Sequence, residues 1–79
     1  MLNIRKNMKI KYDSEVDALY IDIMEEKKSA KTIHLNEDIA LDFSSEEELI
    51  GIEILDASKN ILKDNKPQIE YEGITAVAV

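Results

Sequence analysis

The stretch "LIGIEILDAS", residues 49 to 58, decides how the rest of the chain is read. Ile50, Ile52 and Ile54 alternate with Gly51 and Glu53, and a period of two argues a β-strand with an apolar face. Leu49 and Leu55 fall on the same side as Gly51 and Glu53, so the second face also needs apolar cover at its ends. Gly51 leaves room there for a close neighbour or a bulge. At Asp56-Ala57-Ser58 the period changes: Asp56 or Ser58 can cap free backbone N–H groups, and Ala57, Ile61 and Leu62 recur at helical spacing. A helix of two to three turns at most is expected, stopped by Asp64-Asn65-Lys66-Pro67.

Working outward, Met8, Ile10 and Tyr12 alternate with Lys9 and Lys11, and beyond the turn Asp13-Ser14-Glu15 the residues Leu19, Ile21 and Ile23 alternate with Ala18, Tyr20 and Asp22. This pattern predicts a hairpin with one buried face. The polar link Glu25 to Ser29 leads to a second predicted hairpin, in which Ile33, Leu35, Ile39, Leu41 and Phe43 point inward around the turn Asn36-Glu37-Asp38. Ser44-Ser45-Glu46-Glu47-Glu48 then turns the chain into residues 49 to 55. Two glycines and one proline leave most turns to Asp, Asn and Ser, which can hydrogen-bond their own backbone. The fold class expected is α+β: a small antiparallel sheet of five or six strands in a meander, with one short helix after the fifth. The sixth strand would be the tail from Gln68 to Val79, which carries no charge after Glu72 and is an aggregation hazard unless paired, in its own sheet or in a second subunit.

Seventy-nine residues make one small domain. At that size only about 60% of the unfolded chain's surface is buried, so stability is marginal without extra support. Cysteine is absent, which excludes disulfides, thiolate nucleophiles and cysteine metal sites. The first residues lack the apolar run of a secretory signal, no stretch is long enough to span a bilayer, and a cytoplasmic location is expected. Residues 1 to 12 hold four cations and no acid, whereas residues 13 to 79 set six cations against seventeen acids, a net of −11. Such a body repels a phosphate backbone, so nucleic acid is not an expected partner.

The blocks "MKIKYDSEVDALYIDI" (8 to 23) and "GIEILDAS" (51 to 58) resemble a small bacterial and archaeal family catalogued as domain of unknown function 2283. The resemblance covers about residues 8 to 62; Met1 to Asn7 then read as an extension or an upstream start, and residues 63 to 79 as an extended tail outside the family pattern. It implies a small β-rich fold and, for some members, partnership with small toxins. It supplies no catalytic residue. The chain departs from the family where Ser44 to Glu48 replaces a glycine-containing acidic turn.

Chemistry is sparse. His34 alternates outward on its strand, where a surface role is the commoner one, and nucleophilic hydrolysis needs a hydroxyl or thiol beside an oriented base. Asp13, Glu15 and Asp17 alternate like calcium-loop ligands, but Ala18 and Met24 stand where that loop needs glycine and a bidentate glutamate. Two glycines make no phosphate cradle. No cofactor and no metal ligand is assigned. Asp22, Asp42 and Glu53 fall on outward positions of three strands and form a candidate acidic face for a divalent cation or small molecule, with plain solubility as the competing account.

Apolar residues exceed what one sheet and a short helix can hide. Leu49, Leu55, Ile74, Val77 and Val79 are the candidate interface. The expected function is a non-enzymatic protein-interaction module, antitoxin-like if its partner is a small toxin, that also forms a homodimer; the alternative is a ligand or metal domain using the acidic face.

Overall fold

A computed structural model describes residues 8–24, 26–62, 69–70 and 72–74. β-Branched and aromatic residues at alternate positions make five strands: β1 Lys9–Asp13, β2 Ala18–Asp22, β3 Lys31–His34, β4 Ile39–Phe43 and β5 Leu49–Ile54. All neighbours are antiparallel, and the sheet order is β1-β2-β5-β4-β3. β3, β4 and β5 follow one another as a meander. The first hairpin joins the free edge of β5 rather than β3, so the most apolar strand takes the centre, and β2 to β5 form a Greek key.

That order sends the link from Ile23 to Ala30 around the outside of the β4–β5 turn, so the two connections nest without crossing. Ile23 and Met24 N–H both donate to the Ile50 carbonyl, at 2.9 and 3.2 Å, and Ala30 N–H donates to the Phe43 carbonyl at 2.8 Å. Lys27 spans the nested pair, its Nζ lying 2.8 Å from Glu46 and 3.2 Å from Glu48. These two carboxylates hold the ammonium above the usual lysine range, and Lys27 holds the Glu46 carboxyl below its own.

Inside the β4–β5 turn, Ser44 is buried, and its Oγ accepts the Glu46 and Glu48 N–H groups. Glu47 takes the left-handed φ of 64° that glycine would occupy more easily. The missing glycine therefore appears as a strained but hydrogen-bonded turn. Next to it Asp42 pairs with Gly51 and Phe43 with Leu49, leaving Ile50 as the extra residue of a β-bulge.

Among the described residues the helix is a single π-helical turn, Ser58–Leu62, and residues 63–68 lie outside them. Its start is held by the Asp56 carbonyl, which accepts the Lys59 and Asn60 N–H groups at 3.0 Å, while the Ser58 side chain turns away to another strand junction. One turn covers one end of the sheet only. The core accordingly gathers there around Leu19, Ile54 and the fully enclosed Ala57, with Tyr12, Ile21, Ile39 and Ile52 packed on it.

Ile33 and Leu35 do not turn into a core: they are 42% and 61% exposed, because β3 is an edge strand and the helical turn does not reach it. Ile69 and Ile74 are exposed as well. The described part of the tail, 69–70 and 72–74, contains no strand, and the rest of the expected sixth strand lies outside the described residues. Among the described residues no helix is long and apolar enough to cross a membrane.

Candidate functional site

Three places hold the side chains that could act. The first is the junction between the β1–β2 turn and the segment after β5. Asp17 sits at φ 54°, a conformation aspartate tolerates better than most residues, and this aims its carboxylate at Ser58. Oδ1 accepts the Ser58 N–H at 3.0 Å and the Tyr12 hydroxyl at 2.7 Å; Oδ2 accepts the Ser58 hydroxyl at 2.7 Å. The Asp17 carbonyl also accepts the Ala57 N–H at 2.9 Å. Hydrogen bonds from Ser58 and then Tyr12 favour the ionised form and hold the Asp17 carboxyl below the ordinary carboxylate range. The same bond from the other side holds the Tyr12 hydroxyl above its usual value. Asp17 is thus a clasp between the two sequence blocks rather than a calcium ligand, and Asp13 beside it accepts the Glu15 N–H in the turn. The alternating carboxylates give no indication of the clasp; the Ser58 that follows β5 is the available clue.

The second place is the outward face of the sheet. Cross-strand partners share a face, and register puts Asp22, Gly51, Asp42 and Thr32 in one row, with Lys11, Tyr20, Glu53, Ala40 and His34 in the next. The candidate trio Asp22, Asp42 and Glu53 is therefore brought to one face. Tyr20 lies across Gly51 and donates to Asp42 Oδ2 at 2.9 Å, and Thr32 donates to Oδ1 at 2.7 Å. Asp22 is 3.4 Å from Lys11 Nζ. Burial first, then the Asp42 hydrogen bond and the charges of Asp42, Asp22 and Glu53, push the Tyr20 hydroxyl up to about 12. Both Asp42 oxygens are occupied by hydroxyl donors, and the carboxylates are spread along the face rather than converging on a point.

Among the described residues no group of three or more His, Asp or Glu is placed to hold a metal ion. A depression of about 220 Å³ beside Lys11, Tyr20 and Glu53 is smaller than the about 300–1,000 Å³ of ordinary ligand pockets. His34 is exposed, and the Ser44 and Ser58 hydroxyls donate to Glu48 and Asp17.

The third place is the opposite, apolar face. Register aligns Ile10, Ile21, Ile52, Leu41 and Ile33 in an unbroken aliphatic row across all five strands. None is buried: Ile10 is 37% and Ile33 42% exposed at the two edges, and the central three are half-buried. Met8 and Leu35 extend the exposed apolar surface. Of the interface residues expected from sequence, Leu49 is half-buried opposite Phe43, Leu55 is 40% and Ile74 62% exposed, and Val77 and Val79 lie outside the described residues. The larger apolar surface is the row, which sequence reading assigns to the core.

A family model described as "Protein of unknown function (DUF2283)" matches residues 9–58, the span from β1 to the clasp serine. An uncharacterised protein of Methanocaldococcus jannaschii, MJ0789, is 48% identical over 71 residues, which cover 85% of this chain and 60% of the relative, so the chain spans somewhat under two thirds of that protein's length. No solved structure matches the chain. The two sequence blocks joined by Asp17 and Ser58 both lie in the matched span, and the chain belongs to the DUF2283 family of proteins of unknown function.

Proposed function

We propose that this protein is a non-enzymatic interaction module that works by docking its apolar sheet face on another protein surface. The observation carrying this reading is the five-strand aliphatic row, which the single helical turn leaves partly open. Domains are built of two packed layers, and a sheet with one open apolar face gains its second layer by association. An antitoxin-like role, in which a small protein toxin supplies that layer, is one form of this function. The outward face supports the reading from the other side, since Tyr20, Thr32 and Lys11 already satisfy Asp42 and Asp22.

The test is co-purification of the chain with any small protein encoded beside it, together with the solution mass of the chain alone. Stable capture, or a mass above one chain, supports docking. A strict monomer that captures nothing, in the wild type and at every concentration, removes it. Calorimetry with Mg²⁺ and Ca²⁺ tests the rival metal role of Asp22, Asp42 and Glu53, and no heat above buffer is expected.

A further inference from the structure

The geometry points to a second copy of this chain as the surface that covers the apolar face, the two sheets packing face to face as a sandwich. This rests on the docking reading above and names its occupant. The row is symmetric in kind about its centre. With β5 in the middle, a twofold axis along the strands sets Ile52 against Ile52, Ile21 against Leu41 and Ile10 against Ile33, aliphatic on aliphatic throughout.

Charge permits the pairing. A chain of net charge −7 resists self-association wherever carboxylates meet, but Asp22, Asp42 and Glu53 all sit on the far face of the sheet. Aligned sheets pack about 10 Å apart, far enough to keep those groups on opposite outer surfaces.

Size is consistent as well. Five strands about 4.8 Å apart, rising about 3.3 Å per residue over five residues, bound the face at about 400 Å² in projection, part of which the helical turn already covers. Two such faces give at most about 800 Å² before side-chain relief is counted, below the about 1,200 Å² at which stable specific interfaces begin. This size fits a reversible, concentration-dependent dimer.

The chain has no cysteine, so a single Ile52→Cys reports on the centre of the row and Lys11→Cys, on the outward face, is its control. Light scattering of the wild type from micromolar to millimolar concentration is read beside cross-linking of both variants with a short bifunctional maleimide, which spans the about 10 Å between facing strands where a direct disulfide, limited to about 7 Å between Cα atoms, does not. Expected are a rise from 9.0 kDa to twice that mass and a maleimide-linked dimer through position 52 but not 11. A dimer that cross-links through 11 alone, or through neither, overturns the sandwich. A single-chain mass, with the thiol of the Ile52→Cys variant open to a soluble reagent, overturns the second copy while leaving the docking reading to a different protein. A single-chain mass with that thiol shielded removes both. The wild-type mass needs no substitution and stands even where Ile52→Cys fails to fold.

Discussion

Replacing Gly51 by alanine places a methyl group where the Tyr20 side chain now crosses β5. A Cβ built there would lie 2.5 Å from Tyr20 Cζ and closer still to the hydroxyl oxygen, so the ring has to swing away and its bond to Asp42 is lost. A hydrogen bond to a charged partner contributes about 1.5–3 kcal/mol when buried. This one is only part-buried, so about 1 kcal/mol is the appropriate figure. Displacing the ring from the strand adds a similar amount, and exchanging glycine for alanine inside a strand returns about 0.5 kcal/mol. The net expectation is a loss of about 1–2 kcal/mol, or about 4–8 °C in Tm per kcal/mol for a domain of this size. The diagnostic result is a change of sign. In a Tyr20→Ala background the methyl group enters empty space, and Gly51→Ala should stabilise by about 0.5 kcal/mol. Urea denaturation of the four chains at one protein concentration closes the cycle. If Gly51→Ala destabilises equally with and without the tyrosine ring, the packing of Tyr20 over Gly51 is not what requires glycine there.

Asp17→Ala should lower Tm more than Asp17→Asn, because asparagine retains a side-chain acceptor for the Ser58 N–H, and two equal melting temperatures would argue against the clasp. Since the folded Asp17 carboxyl titrates below its ordinary 3.8, the clasp is fully present above that pH and is lost as pH falls through the lower folded value; Asp17→Asn should flatten the acid limb of the wild-type stability curve. Tyr20, pushed up to about 12, favours the folded state below the ordinary tyrosine value of 10 and gives up that contribution as pH rises toward 12, so ultraviolet titration should show a late tyrosine that moves earlier in Asp42→Asn. Finally, Glu47→Gly removes a left-handed non-glycine residue and should stabilise by about 0.5–1 kcal/mol in thermal melts; a fall in Tm would mean that Glu47 is not strained.

Strand existence is readable because each strand alternates, and β1, β2, β3 and β5 lie within a residue of where period-two reading places them, while β4 coincides. Strand order is not. Nothing local in Glu25 to Ser29 says that the link bypasses a turn, since the order follows from burying Ile50 and Ile54 at the sheet centre, a non-local gain. Ala57, Ile61 and Leu62 match a helical stripe, yet Ile61 is 46% exposed while Ala57 is enclosed. Of the candidate sites, alternation does place Asp22, Asp42 and Glu53 on one face, and Gly51 does signal a close neighbour. The identity of that neighbour, Tyr20 reaching over to Asp42, needs the register of three strands. Ile33 and Leu35 show the remaining gap: alternation identifies an apolar face, but says nothing of whether the same chain covers it.

Whether the aliphatic row is a docking surface can be read from solvent paramagnetic relaxation of its methyl groups. With a soluble paramagnetic probe, the methyls of Ile10, Ile21, Ile33, Leu41 and Ile52 should be shielded in concentrated protein and exposed on dilution, while Ala18 on the outward face stays constant. Relaxation of the row that is the same at every concentration, with or without a candidate partner, would mean that nothing docks there.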